Sequence, residues 1–300
     1  MKYFIEREKQ HIEQMLQNDR KTKREIERIL IKARQDIEQQ IADLQRTYAA
    51  SQNMTVSELL READKMDVQR MSDRVKLYVR TKDFSPQANR ELKLYNYKMR
   101  TSRLELIKAQ INLELTNAMS DIEKYIGDDL YNDAINEFSR QAGILKQTVP
   151  KRLNKQIEAI INGSYLVDDT DNFIQFSTAI WGYKKVLQAE VERLVIRAVL
   201  MGQHPRVTAK ELVRVFNVTA SQAVRLARTE STRIQTEIQQ RMYLKADVTH
   251  YMVIGEPDAC KHCQPYLNKK FRVDEWIYTP PFHPHCRCST VPVVDTTVQA

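Results

Sequence analysis

The distribution of glycine and proline most strongly limits the fold of this chain. No glycine precedes Gly127, and Pro86 is the only proline before Pro150. Because glycine and proline are the residues that most disfavour a helix interior, this region, rich in Glu, Gln, Arg, Lys, Ile and Leu, is typical of long helices. Six of the nine prolines lie at or after Pro257, where no helix can run far. The pattern predicts a mainly helical chain that changes character near residue 245.

Apolar spacing supports the helical prediction. Residues at steps of three and four form one apolar face of a long helix: Ile26, Ile29, Leu30, Ala33, Ile37, Ile41 and Leu44. Ser85 and Pro86 predict the start of another helix, which we expect to end at a break near residues 125–127. Further helices are expected at about 129–143, 149–162, 171–201, 208–216 and 219–245.

The C-terminal region has the composition of a small α+β domain. β-Branched and aromatic residues at 248–254 predict a strand, with weaker strand candidates at 270–273 and 289–294. About fifty residues bury little core, so a metal would supply stability that packing alone lacks. We therefore expect a mainly α protein with an elongated multi-helix body. Its predicted divisions are a helical body at 1–218, a small C-terminal α+β domain with a Cys/His metal site at 219–295, and a loose tail at 296–300.

Charge is also distributed unevenly. Residues 251–300 contain five Lys/Arg and five Asp/Glu, so the formal net charge of +8 comes entirely from residues 1–250. This surplus suits a polyanion such as nucleic acid, although a solvated helical surface accounts for it equally well. No segment has the roughly 18 consecutive apolar residues of a membrane span, and the N-terminus lacks the pattern of a signal peptide. We expect synthesis in a reducing cytoplasm, which favours metal binding over disulfides.

All four cysteines lie near the C-terminus, in two close pairs. Cys260 and Cys263 form C-x2-C, whereas Cys286 and Cys288 form C-x-C with two histidines directly before them. Two such pairs joined by a loop can supply the tetrahedral ligands that zinc prefers. Cys260 and Cys263 are the first choice, and the other ligands come from His283, Cys286 and Cys288 ahead of His285 and His262.

Two other interpretations of the cluster stay open. Disulfides could join the pairs if the protein ends up outside a cell. A catalytic metal would need an open position and a nearby base, and the chain has no H-E-x-x-H motif. A metal-dependent nuclease that uses His283 and His285 is the enzymatic alternative. No P-loop, G-x-S-x-G or G-x-G-x-x-G motif is present to suggest other chemistry.

Three motifs together resemble a known family. L-A-R-T-E-S-T-R in a predicted helix, D-A-C-K-H-C, and P-P-F-H-P-H-C-R-C are similar to the C-terminal domain of phage minor head proteins. These are head-morphogenesis proteins like phage Mu protein F and the portal-associated minor capsid protein of Gram-positive siphophages. The motifs cover about 220–294, and the N-terminal K-Y-F-I-E-R-E-K-Q extends the resemblance over most of the chain. The family's recurring positions correspond to Arg228, Glu230, Asp258, Cys260, Cys263, His283, Pro284, Cys286 and Cys288.

The match to the family pattern has two departures. Phe4 stands where the group often has tryptophan, and residues 264–270 lack the family's acidic D-G turn. Neither departure touches a candidate ligand. The resemblance also favours His283 over His285, because the family usually has an ordinary polar residue at the latter position.

The resemblance implies a non-enzymatic structural protein of the virion, with a structural zinc. It implies association with the portal inside the capsid, contacts with scaffold or major capsid protein, and non-specific contact with packaged double-stranded DNA. Head morphogenesis and DNA packaging or delivery are the expected roles, with no membrane involved at assembly. The alternatives are a metal-dependent nuclease or another enzyme, such as an ADP-ribosyltransferase-like relative, and a free DNA-binding regulator.

Overall fold

A computed structural model describes residues 1–48, 76–77, 80, 85–163, 165–166, 173–201 and 203–294 of the chain. Most of these residues are helical, which confirms the predicted fold class. The helices are α1 (Lys2–Tyr48), α2 (Pro86–Leu145), α3 (Leu153–Ile161), α4 (Phe176–Leu200) and α5 (Pro205–Lys245). None of the helices in these ranges is both long and apolar enough to cross a lipid bilayer.

The predicted apolar face of α1 is present. The side chains of Ile26 and Ile37 are fully buried. Their neighbours on the same face are also buried: Ile29, Leu30, Ala33 and Ile41. The side chain of Leu44 lies outside the described residues. Steps of three and four along α1 therefore do place these residues against a core.

Two predicted helix ends are wrong. Helix α2 continues through Gly127 instead of breaking there, and the buried Ile126 and Leu130 lie on either side of the glycine. Glycine in a helix costs only about 1 kcal/mol, which burial of an apolar face outweighs. Likewise α5 joins the two helices predicted at 208–216 and 219–245. Thr219, where the second of these helices was predicted to begin, is buried inside it.

The described chain divides into two compact units. The first consists of residues 1–30, 118–184 and 217–300, and the second of residues 31–117 and 185–216. The predicted division at residue 218 stays a prediction, and the predicted loose tail at 296–300 lies outside the described residues. All candidate ligands belong to the first unit.

A three-stranded antiparallel sheet forms the C-terminal part of the first unit. Strand β3 (His250–Ile254) lies between β4 (Lys270–Arg272) and β5 (Ser289–Val293). In this register Tyr251 lies opposite both Phe271 and Pro292. All three predicted strands are confirmed, each slightly shorter than expected. A separate two-stranded ribbon pairs β1 (Tyr165–Leu166) with β2 (Phe173–Ile174).

The sheet packs on both sides. Tyr251, Val253 and Val273 form a cluster with Tyr243 of α5, and Trp276 packs against it. Ile254 and Val291 pack instead against Ile12 of α1, together with Leu16 and Phe4. Because residues along a strand alternate between faces, the short strands bury apolar side chains against both α1 and α5. The N-terminal helix is therefore part of the core that supports the cysteine region.

Candidate metal centre

The first cysteine pair lies in a tight turn after β3. The backbone N–H groups of Cys263 and Gln264 both donate to the carbonyl oxygen of Cys260, at 3.0 and 3.1 Å. The two Sγ atoms of Cys260 and Cys263 lie 3.8 Å apart. A short 3-10 helix, Gln264–Tyr266, follows directly. The C-x2-C spacing thus brings two sulfur atoms to one point.

The second group of donors lies in a turn just before β5. The N–H of Cys286 donates to the carbonyl oxygen of His283 at 3.1 Å. His285, inside this turn, has a φ of 70°, in the left-handed region that non-glycine residues adopt at a cost of about 1–3 kcal/mol. In a plain strand, Cys286 and Cys288 would lie almost 7 Å apart. The turn removes that obstacle, because their sulfur atoms belong to one compact group.

The donor atoms have separations close to those of a tetrahedral metal site. Sγ of Cys263 lies 3.8 Å from Sγ of Cys260 and 3.8 Å from Sγ of Cys286. Nε2 of His283 lies 3.1 Å from the sulfur atoms of both Cys260 and Cys263. Two sulfur atoms bound at about 2.3 Å to one zinc ion in tetrahedral geometry would be about 3.8 Å apart. The sulfur–sulfur distances fit this geometry, while the nitrogen lies slightly closer than a bound imidazole would.

The donors form two groups rather than a single set. Cys260, Cys263 and His283 lie within 4.8 Å of one another, and so do Cys263, Cys286 and Cys288. Cys263 belongs to both groups and therefore lies at the centre of the cluster. His262 and His285 belong to neither. The structure thus brings together the five predicted ligands and separates the two histidines that ranked below them.

The tautomer of His283 follows from its second ring nitrogen. Nδ1 lies 2.7 Å from the carbonyl oxygen of Pro284. Because a carbonyl oxygen only accepts, Nδ1 carries the proton and donates it. The lone pair of Nε2 therefore faces the sulfur atoms of Cys260 and Cys263, as in metal-bound histidines held by a backbone carbonyl. Pro284, a predicted motif position, contributes through this carbonyl.

Three of the thiols are buried almost completely: Cys263, Cys286 and Cys288. Hydrogen bonds from Cys263 and Cys288 lower the pKa of Cys286 to about 2. Hydrogen bonding to Cys286 raises the pKa of Cys263 far above that of an ordinary thiol. The protein atoms by themselves thus favour one thiolate that accepts from two thiols. A bound divalent cation would allow more of these sulfur atoms to ionise.

Two threonines of α5 hold the turn that carries His283 and Cys286. The hydroxyl of Thr232 donates to the carbonyl oxygen of Cys286 at 2.7 Å. The hydroxyl oxygen of Thr229 accepts from the N–H of His285 at 3.0 Å. Residues three apart lie on one face of a helix, so both hydroxyls point the same way. Helix α5 therefore fixes the position of this turn.

Arg228 braces the same turn through a carboxylate. Its Nη2 donates to Oε2 of Glu256 at 2.5 Å. The other oxygen, Oε1, accepts from the backbone N–H of Arg287 at 3.1 Å. Arg228 was predicted as a motif position. In the structure it does not lie among the sulfur atoms but reaches their turn indirectly, through Glu256 and the backbone of Arg287.

Arg287, between the two C-terminal cysteines, is a buried cation. Its Nε donates to Oδ2 of Asp19 on α1 at 2.9 Å, and its Nη2 makes a second bond to the other carboxylate oxygen. Its Nη1 donates to the hydroxyl of Ser231 at 2.9 Å. Arg287, Asp19 and Glu256 were not among the predicted site residues. No local pattern marks them, because the partner that defines each one lies far away in the sequence.

The remaining motif positions lie outside both donor groups. Glu230 is fully buried on α5, where burial raises its pKa, and it accepts from Arg233 at 2.9 and 3.0 Å. Arg233 also donates to the carbonyl oxygen of Ile160, at the end of α3. Asp258 is exposed and lines a cleft of about 570 Å³ together with His285. Glu230 thus secures the helical frame, and Asp258 faces solvent.

Comparison with known families adds one finding to this geometry. Residues 189–291 match the model of the family described as phage Mu protein F like protein. The predicted resemblance is confirmed over this segment. The match supports the phage minor head protein family, and the segment contains the whole of α5 and every candidate ligand. No curated protein and no solved structure matches the chain.

Proposed function

We propose that this protein is a structural minor capsid protein of a phage head, which acts in head morphogenesis and in DNA packaging or delivery. The observation that carries the proposal is the phage Mu protein F-like match over 189–291, which includes the whole candidate metal centre. In this proposal the protein is associated with the portal inside the capsid. Its protein neighbours are the portal protein and either scaffold or major capsid protein.

We further propose that the metal is a structural Zn²⁺. Thiolates and imidazole are the donors that zinc prefers, whereas magnesium and calcium prefer oxygen. A tetrahedral site takes four ligands, and these would be drawn from Cys260, Cys263, His283, Cys286 and Cys288. A metal here would join the turn after β3 to the turn before β5. It would add stability to a sheet whose edge strand, β4, has only three residues.

The surroundings of the donors favour a structural metal over a catalytic one. A catalytic zinc keeps one position open to water and needs a general base beside it. Here three of the sulfur atoms belong to side chains that are at most 1% exposed. The carboxylate of Glu256 is engaged by Arg228 and by the N–H of Arg287, so it is not free to act as a base. In this proposal Arg228, Glu230, Asp258 and Pro284 are structural motif residues.

The basic surplus supports contact with packaged DNA. The +8 charge lies in residues 1–250, and Arg20, Lys21 and Arg24 are exposed on α1. Such cations would contact phosphates without reading bases. We therefore propose binding that is weak, independent of sequence and steeply weakened by salt. A sequence-specific affinity would support the DNA-binding regulator instead.

The location can be tested in the parent phage. Purified procapsids and virions would be treated with a lysine-reactive cross-linker and analysed by mass spectrometry. We expect cross-links to the portal protein in both particles, together with cross-links to scaffold or major capsid protein in procapsids. A protein that is absent from both particles would contradict the proposal.

The enzymatic alternative requires a separate assay. Purified full-length protein would be incubated with duplex DNA and Mg²⁺ or Mn²⁺, alongside His283→Ala. The structural role predicts no cleavage by either protein and a lower melting temperature for the variant. Cleavage that the variant loses would replace the structural proposal with a nuclease.

A further inference from the structure

The segment at 286–290 contacts both the donor cluster and helix α1. Cys286 and Cys288 point into the donor cluster, while Arg287 and Ser289 contact α1. The hydroxyl of Ser289 donates to Oε1 of Glu8 at 2.5 Å. Because these four residues are consecutive, a displacement of the cysteines also moves the backbone that carries Arg287 and Ser289. The candidate metal and helix α1 therefore share one short piece of backbone.

Helix α1 meets this segment with a single face. Glu8, Ile12, Leu16 and Asp19 follow one another at steps of four, four and three, which places them in one row along the helix. The apolar pair in the middle packs against Ile254 and Val291 of the sheet. The carboxylates at the two ends meet Ser289 and Arg287. Each end of the row thus depends on the segment that carries the cysteines.

Glu8 makes this dependence strong because its carboxylate is buried. It is only 2% exposed and receives a hydrogen bond from Arg140 on α2 at 2.6 Å. Gln235 and Gln239 of α5 donate to both Glu8 and Ser289. A buried carboxylate is tolerated only while its partners stay in place. A shift of Ser289 would disturb the whole set at once.

We propose that metal binding at the Cys/His cluster and docking of residues 8–19 of α1 are energetically coupled, so that the metal acts as a latch for the N-terminal helix. The inference rests on the metal centre proposed above and goes beyond its role as a local staple. Without the metal, the crowded thiols lose the ion that holds Cys286 and Cys288 together. Movement there separates Arg287 from Asp19 and Ser289 from Glu8, which favours release of α1.

The first test follows α1 directly in the full-length protein. Hydrogen exchange of residues 8–19 would be measured by mass spectrometry with zinc bound and after removal of zinc by a chelator. We expect exchange to become roughly 5- to 150-fold faster without metal, the range typical of coupling between two sites. Unchanged exchange after complete loss of zinc would overturn the coupling while leaving the metal site intact.

The second test uses the reciprocity of linkage. If metal favours docking of α1, then a chain with α1 undocked must bind metal more weakly by the same factor. Asp19→Asn and Glu8→Gln each remove one anchor without touching a ligand. Competition with a chromophoric chelator should show zinc dissociation constants raised, at most by the factor found in the exchange experiment. Glu25→Gln is the matched control, because Glu25 bonds Arg28 on an exposed part of α1.

The outcomes separate the two proposals. Wild-type zinc affinity in anchor variants whose residues 8–19 exchange faster than in the parent would overturn the latch and leave the structural zinc in place. A full-length chain that binds no zinc would overturn the latch and the zinc together, while the phage-head assignment would still rest on the family match. If Asp19→Asn does not fold, Glu8→Gln and the exchange experiment on the unmodified chain still decide the question.

Discussion

Replacing Asp133 with asparagine should stabilise the first compact unit above about pH 6. Asp133 lies on α2 and lines a cavity of about 220 Å³ together with His11, Glu137 and Arg140. Its Oδ2 accepts from the hydroxyl of Ser231 at 2.5 Å. Burial, with a smaller contribution from the negative charges of Asp129 and Asp19, raises the pKa of Asp133 from 3.8 to about 6, although the Ser231 hydrogen bond and the charge of Arg287 lower it.

The size of the effect follows from the pKa. A rise from 3.8 to about 6 is roughly two units, and each unit corresponds to 1.36 kcal/mol. The ionised carboxylate therefore costs up to about 3 kcal/mol, which access of water to the cavity reduces to about 1–2 kcal/mol. Because the folded pKa is the higher one, the stability from this group is fully present below pH 3.8. It is lost as the pH rises through 6.

Asparagine has no charge to bury and keeps an oxygen that can accept from Ser231. Its advantage should therefore appear only where Asp133 is ionised. Urea unfolding followed by tryptophan fluorescence would measure it, because both tryptophans, Trp181 and Trp276, lie in the same compact unit as Asp133. We expect Asp133→Asn to be more stable by about 1–2 kcal/mol at pH 8 and equal to the parent at pH 4.

The control is Asp128→Asn, five residues earlier on the exposed side of α2. It should unfold like the parent at every pH. Two results would refute the reasoning: Asp133→Asn no more stable than the parent at pH 8, or a gain of the same size at pH 4. The second would mean that the benefit comes from packing rather than from charge.

Three further changes have defined outcomes. Arg140→Met should cost about 3–5 kcal/mol in urea unfolding, because it leaves buried Glu8 and Glu137 unpaired; a loss below that of the exposed-pair variant Arg28→Met would contradict this. Cys263→Ser should reduce the amount of bound zinc more than Cys260→Ser or Cys288→Ser, since Cys263 alone among them belongs to both donor groups. Elemental analysis would measure the zinc content. Equal losses in the three variants would contradict the central position of Cys263. Gly255→Ala places a Cβ 2.8 Å from Cδ1 of Leu267 and should lower the free energy of unfolding by about 1–3 kcal/mol. Gly143→Ala has nothing within 4 Å of the added Cβ and should stabilise α2 by up to about 1 kcal/mol. Equal effects of the two substitutions would show that the Leu267 side chain moves aside without cost.

The features that the sequence predicted well are those with local causes. The absence of glycine and proline predicted long helices, because these residues act on the backbone where they stand. The β-branched residues at 248–254 predicted β3 for the same reason. Spacing likewise predicted that Cys260 and Cys263 share one turn and that His283, Cys286 and Cys288 lie close together, whereas the pairing of β3 with β5 brings the two groups to one place.

The tertiary structure alone decided those features that depend on residues distant in the sequence. Gly127 stays helical because a buried apolar face outweighs a local preference of about 1 kcal/mol. Arg287 is buried because Asp19, 268 residues earlier, supplies its countercharge. Helix α1 packs on the C-terminal sheet because the row of side chains from Glu8 to Asp19 makes apolar contacts and hydrogen bonds there. The spacing of residues within α1 does not predict these partners. A pattern in the sequence reports which side of an element is apolar, whereas the partner that covers that side is chosen by packing across the whole chain.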